Sequence, residues 1–148
     1  MIQSAPEITL AAIPADLVAV AELLAQCGLP TDGLDDVADC LILRQDGRVI
    51  ASAALEIRAQ SGLLRSVAVH PAWRGRGWGE ALTAAAIARA TEQGITRLYL
   101  LTETAANFFP RFGFTIIDRA DVDPAIQQTV EFTAVCPASA IVMAYILT

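Results

Sequence analysis

Lysine is absent from the chain: all ten basic residues are arginines, set against sixteen aspartates and glutamates for a net charge of −6. That balance opposes the sequence-independent attraction that nucleic acids and anionic membranes exploit, so an anionic ligand must be captured by local donors. Aromatic residues make up only 6%, which gives a base-stacking platform no support. Histidine occurs once, at His70, and the three cysteines, Cys27, Cys40 and Cys136, lie far apart with no Cys-x-x-Cys pair. No metal site or disulfide framework is expected, and reduced thiols in a cytoplasm fit this pattern. The first residues lack the basic start and apolar run of an export signal, and no stretch reaches 18 apolar residues, so no membrane span is expected.

What the chain has in quantity is apolar surface, 55% of 148 residues against 18% charged. A chain of this length buries enough of that surface to support a core without metal or disulfide staples, and residues 1–148 read as one domain. Glu7–Ala12 reads as a strand, and Ala15–Cys27 as a helix after Pro14, with Leu17, Val20, Ala21, Leu24 and Cys27 at helical spacing and Gly28 as its stop. Leu29–Asp39 is acidic and interrupted by Pro30 and Gly33, a loop or a poorly formed helix. Cys40–Gln45 and Arg48–Ile57 flank Asp46-Gly47, a strong hairpin signal. Leu63–His70 is a further strand, preceded by a turn region containing Gly62 and ended by Pro71. Trp78–Gln93 is an alanine-rich helix closed by Gly94 and leading to a strand at Thr96–Thr102. Thr104–Phe112 reads as a short helix kinked at Pro110, Phe114–Arg119 as a strand, Asp121–Glu131 as helix-like and Ala140–Leu147 as the last strand. The sum is an α+β layered architecture, one mixed sheet with helices packed on it.

Between the strand ending at His70 and the helix starting near Trp78 stands Arg74-Gly75-Arg76-Gly77-Trp78-Gly79. Closely spaced glycines let a backbone approach an anion, and free amides converge there with the positive end of a helix. A diphosphate fits such a turn, held by Arg74, Arg76 and the amides of Gly75 to Gly79. No Gly-Lys-Ser/Thr follows, and the spacing is not Gly-x-Gly-x-x-Gly, so the nucleoside-triphosphate and dinucleotide readings weaken. A purely structural strand-to-helix turn is the alternative.

Arg-x-x-Gly-x-Gly, preceded by Ser66-Val67-Ala68-Val69-His70-Pro71 and followed by the alanine-rich helix, resembles the acetyl-coenzyme A motif of the GNAT N-acetyltransferases. Phe112-Gly113-Phe114 resembles their Leu-Gly-Phe signature, and the order of elements from Ile8 to Phe114 is similar. The resemblance implies acetyl-coenzyme A as donor and a splay between strands four and five. The thioester end would then meet backbone near Val67, Ala68 and Val69, with Thr104 and Asn107 also in reach of the coenzyme or capping the short helix. Leu100-Leu101-Thr102-Glu103-Thr104-Ala105-Ala106, Phe108-Phe109 and the tail Glu131-Phe132 with Cys136-Pro137-Ala138-Ser139-Ala140 are similar to acetyltransferases of the arsenic-resistance type, and more distantly to N-acetylglutamate synthases. The implied activity is transfer of acetyl to a small amine, an amino acid or an amino-bearing arsenical, by a monomer or homodimer. A non-catalytic acyl-coenzyme A sensor and an acetyltransferase of protein N-termini or lysines are the alternatives.

Acetyl transfer to an amine requires a proton acceptor and a route for a proton to the departing thiolate. The tyrosine that many family members place at that step is matched here by Phe109. Two carboxylates are candidate bases: Glu56, which interrupts an apolar strand, and Glu103, at the end of the next-but-one strand. Their structural alternatives are a solvated strand face for Glu56 and a helix cap for Glu103. Arg65 is placed to bind an acceptor carboxylate or to form a structural ion pair. Cys136 either lines the acceptor pocket or is a small buried residue, and His70 reads as structural.

Overall fold

Asp46 and Gly47 both adopt left-handed backbone, with φ of 52° and 77°, the conformation a two-residue turn needs if its strands are to keep their natural twist. In the computed structural model, which describes residues 7–11, 14–135 and 139–147, this turn joins β2 (Asp39–Gln45) to β3 (Arg48–Arg58). β1 (Glu7–Leu10) lies antiparallel to β2, and α1 (Pro14–Gln26) connects the two. β4 (Ser61–Val69) is antiparallel to β3, and α2 (Trp78–Glu92) then leads to β5 (Arg97–Thr102), which lies parallel to β4. β7 (Ile141–Ile146) pairs antiparallel with β5 and with β6 (Thr115–Ile117), giving a seven-stranded mixed sheet in the order β1-β2-β3-β4-β5-β7-β6.

Alternation along the strands feeds two faces. Leu41, Leu43, Ala51, Ala53, Leu55 and Leu64 pack with Leu82, Ala86 and Ala90 of α2, small helix residues that let the helix lie close to the sheet. Cys40, Ile42 and Ala54 face the other way onto Val20, Leu23 and Leu24 of α1. Burial pushes the Cys40 thiol up to about 11, so it behaves as a small apolar residue there. On α1's side of the sheet, further along, Leu63, Tyr99 and Val142 pack with Ile126 and Phe132.

Two irregularities shape the centre of the sheet. The β4–β5 ladder contains only Ser61↔Arg97, Gly62↔Leu98 and Leu63↔Tyr99, and beyond Leu63 the strands part. On its other edge β4 slips register against β3 between Ser52 and Ala54, at Ser66, whose φ is 58°. This bulge reverses the alternation of β4. Leu64 belongs to the α2 face, but Ala68, four residues on, belongs to the α1 face, while Val67 and Val69 turn toward α2.

The structure shortens several expected elements. Thr104–Phe112 contains only a 3-10 turn at Phe109–Phe112, because Pro110 lacks the amide a longer helix would use. Asp121–Glu131 resolves into a 3-10 turn at Arg119–Asp121, the single-turn helix α3 (Pro124–Gln127) and the start of a π-helical turn at Glu131–Val135. The Thr129 hydroxyl donates to the Ile126 carbonyl at 2.7 Å, competing with helix continuation. Leu29–Asp39 holds one 3-10 turn, Leu34–Asp36. Gly62 lies within β4 and not in a turn; the reversal falls instead at Ala59-Gln60, with Ala59 at φ 55°. Among the described residues, no helix is long and apolar enough to cross a membrane.

Gly113 sits at φ 110°, and a Cβ there would lie 2.9 Å from Cε1 of Tyr145, whose ring packs edge-on to buried Phe114. Gly113→Ala should therefore lower stability by about 1–3 kcal/mol through strain and overpacking. Urea unfolding checks this, with an unchanged midpoint as the contrary result.

Candidate functional site

Where β4 and β5 part, a cleft of about 1060 Å³ opens, lined by Leu64–Val69 on one side and Leu100–Ala105 on the other. One end is the glycine turn. His70 Nδ1 accepts from the Ala72 amide at 3.1 Å, which fixes the 3-10 turn Pro71–Trp73 where β4 stops. Gly75 and Gly77 follow at φ 80° and 83°, and a Cβ at either would meet nothing within 4 Å. Their backbone thus faces open space, and Gly77 caps the N-terminus of α2, whose first amides have no helical partners. Arg74 donates through Nε to the Val69 carbonyl at 3.0 Å and through Nη2 to Cys27 Sγ at 3.5 Å. Arg76 stacks 4.8 Å above the Trp73 ring. Arg111, ion-paired with Glu80, lies 4.6 Å above the Phe108 ring.

The other end is built from buried charge. Arg65, with a fully buried side chain, donates through Nη1 to Glu56 at 2.8 Å, through Nη2 to the Asp32 carbonyl at 2.5 Å and through Nε to Ser66 Oγ at 3.1 Å. Glu56 is 1% exposed and uses its second oxygen on Arg58 at 3.2 Å. Both Glu56 oxygens are thus engaged by guanidinium groups, an arrangement that holds Arg65 in place. Its side chain faces the buried cluster and not a solvated surface.

A third carboxylate completes this cluster. Glu131 is 6% exposed, and its Oε1 lies 3.9 Å from Arg65 Nε while its Oε2 is buried with no hydrogen-bond partner. Burial pushes its carboxyl up to about 7, against the lowering effect of Arg65 and with a further rise from Glu56. In the sequence Glu131 stands out only as part of the tail Glu131-Phe132. The available signal was an acid between apolar Val130 and Phe132, the same signal that singled out Glu56.

Of the residues picked from sequence, Arg65, Val67, Ala68, Val69, Arg74, Gly75, Gly77, Trp78, Gly79, Glu103, Thr104 and Asn107 line this one cleft. Glu56 and Arg76 lie outside its lining, and Cys136 falls outside the described residues. Glu103, Thr104 and Asn107 are exposed. The cap at the end of β5 is Thr102, whose Oγ1 accepts from the Ala105 amide at 2.9 Å, and not Glu103. Phe109 is buried and packs edge-on against Phe108 and Phe114.

The model of the acetyltransferase (GNAT) domain matches residues 36–116, more than half of the chain. The chain belongs to this family. An amino-acid acetyltransferase from Mannheimia succiniciproducens is 34% identical over 89 residues, which is 59% of this chain and 20% of that protein. The chain therefore spans about a fifth of the length of the curated relatives it matches. Among solved structures, the N-acetylglutamate synthase from Neisseria gonorrhoeae, in complex with coenzyme A and N-acetyl-glutamate, superposes with a TM-score of 0.79 at 22% identity over 99% of this chain and 36% of that one. A GNAT-family acetyltransferase from Staphylococcus aureus Mu50 gives 0.79 at 15% identity over 97% and 100% of the two chains. The mixed sheet with its parallel β4–β5 step is the GNAT fold.

An acid whose folded pKa is raised stabilises least when ionised: the folded state holds the proton that the unfolded state releases above about 4.5. Glu131 should thus withdraw stability as pH rises through the window from about 4.5 to 7, by on the order of 3 kcal/mol. Glu131→Gln should gain on the native chain by that amount between pH 4 and pH 8 in urea unfolding. A pH-independent difference between the two would contradict this.

Proposed function

We propose that the chain transfers an acetyl group from acetyl-coenzyme A to the amine of a small molecule. The observation that carries this reading is a cleft that starts at an open glycine turn and runs between two strands whose pairing has ended. The residues present fit the coenzyme. The amides from Gly75 to Gly79 and the end of α2, with Arg74 beside them and Arg76 on Trp73, would receive the diphosphate, each charge-assisted bond contributing about 1.5–3 kcal/mol. Beyond Leu63 the β5-facing side of β4 has no strand partner, leaving Val67, Ala68 and Val69 to meet the pantetheine chain. Thr104 and Asn107 lie on the opposite wall.

In the transfer, the acceptor nitrogen forms its bond to the acetyl carbon as the carbon–sulphur bond breaks. Phe109 offers no hydroxyl for the departing sulphur, so the thiolate takes the proton that the amine sheds, directly or through water. A thiol's ordinary pKa of about 8.5 makes this a modest demand. The acceptor is an amino acid or another small amine, amino-bearing arsenicals included, and the protein works in the cytoplasm. The aromatic at Phe109 also favours a second reading, an acyl-coenzyme A sensor without transfer.

Thiol release from acetyl-coenzyme A against amino acids, amino-arsenicals, polyamines and peptides, with product masses, separates the two readings. One acetylated acceptor supports the transferase. Coenzyme binding with silence across the panel supports the sensor. Gly77→Asp should weaken coenzyme A binding more than 100-fold by calorimetry, since it puts a carboxylate where the diphosphate is held. Unchanged affinity would remove the turn from the donor site.

A further inference from the structure

The carboxylates at the inner end of the cleft differ in what they have left to offer. Glu56 has both oxygens on guanidinium groups. Arg65 is enclosed, with Glu56, Asp32 and Ser66 each on a different nitrogen, and Gly33 closes over it so tightly that a Cβ there would lie 3.1 Å from Nη1. Glu131 Oε2 has no partner. Among the described residues lining the cleft it is the one buried side-chain oxygen left without a hydrogen bond. A buried carboxylate oxygen accepts and does not donate, so its natural complement is a donor, and a cationic donor above all.

The charged groups facing Glu131 are Arg65 from β4 and Glu56 from β3. Glu56 already claims Arg65 at 2.8 Å and Arg58 at 3.2 Å, whereas the nearest guanidinium nitrogen recorded for Glu131 is Arg65 Nε at 3.9 Å, beyond hydrogen-bonding distance. An ammonium group brought down the cleft supplies the missing charged donor.

We propose that Glu131 receives the ammonium group of the acceptor and takes its proton, a role that rests on the acetyltransfer reading above. One N–H proton passes to Oε2, giving a free amine and a neutral carboxylic acid. The nitrogen lone pair then forms the bond to the acetyl carbon as the carbon–sulphur bond breaks. The amine's second proton goes to the sulphur, and Glu131 returns its own to water once the product leaves. A carboxyl near 7 suits this exchange, being ionised often enough to accept and basic enough to compete for the proton. It also sets the pH dependence, with activity falling as pH drops through that value.

The test pairs rates with binding, using Glu131→Gln, which keeps size and removes charge, and Glu131→Asp, which keeps the carboxyl. With whichever amine the panel yields, Glu131→Gln should lower kcat by about 10²–10⁴-fold and abolish the acidic limb near pH 7, while Glu131→Asp keeps the limb at reduced rate. Calorimetry with n-butylamine on the coenzyme A complex supplies a readout without turnover. Native binding should be about tenfold weaker at pH 6 than at pH 8, and Glu131→Gln should bind more weakly and without pH dependence, its coenzyme A affinity unchanged. Native turnover with Glu131→Gln within threefold and the limb intact overturns the role of Glu131 and leaves the transferase standing. Butylamine binding through Glu131 with no product from any amine overturns the transfer reading, and with it the proton step, leaving an ammonium site.

Discussion

A parallel strand pair that stops after three residues leaves polar backbone facing the interior of a sheet, and the site of this protein is arranged around that interruption. Buried amides and carbonyls need partners. The Ser66 carbonyl takes the Ser52 hydroxyl at 2.7 Å, the Val69 carbonyl takes Arg74, and the cleft lies along the rest. The bulge at Ser66 belongs to the same arrangement. A serine at positive φ is strained by about 1–3 kcal/mol, and it is held there from both sides, by Ser52 on its carbonyl and Arg65 on its hydroxyl. Because the bulge reverses alternation, Arg65 reaches the α1 face beside Glu56 while Val67 and Val69 turn to α2.

Taking Arg65, Glu56 and Glu131 out of water is unfavourable by several kcal/mol per charge unless geometry compensates. For Arg65 and Glu56 it does, since each bonds at hydrogen-bonding distance to more than one partner. For Glu131 it does not: its one ionic partner is shared and more distant, so desolvation prevails and its carboxyl rises. The same physics that secures the first two charges leaves the third underserved. Buried groups left in that condition are a mark of functional sites, where stability yields to chemistry.

The glycine-turn end of the cleft is legible in sequence because it is local. Asp46-Gly47, Pro71 and the run Arg74 to Gly79 each specify backbone within a few residues, and the structure has the hairpin, the strand end and the open turn where those residues put them. The Ser66 bulge was not legible, because nothing in Leu63–Val69 distinguishes a strand that reverses its faces from one that does not. The helices after Thr104 and Asp121 are shorter than their apolar spacing suggests, since that spacing serves contacts with Tyr99, Phe114 and Val142 and not continuous helix. Sequence leaves Arg65 between a ligand for an acceptor carboxylate and half of an ion pair, because its partners Glu56, Asp32 and Ser66 come from three different segments. Glu131 joins them from a fourth, 66 positions beyond Arg65 in sequence, where no periodicity could announce the meeting.

That division runs through the likeness to other proteins as well. The family match covers residues 36–116, the stretch with the hairpin, β4, the glycine turn, α2 and β5. Glu131 and the π-helical turn that carries it lie beyond that stretch. A backbone cradle tolerates many side chains, whereas an end made of side chains from separate segments can change with each of them. The cation count of this chain makes the point sharper: with no lysine in the sequence and both Arg65 and Arg58 engaged by Glu56, Glu131 is left without a guanidinium at hydrogen-bonding distance among the described residues. At the inner end of the cleft, burial has thus left one carboxylate oxygen still lacking a donor, and that unmet demand is the property by which this end differs from the backbone cradle at the other.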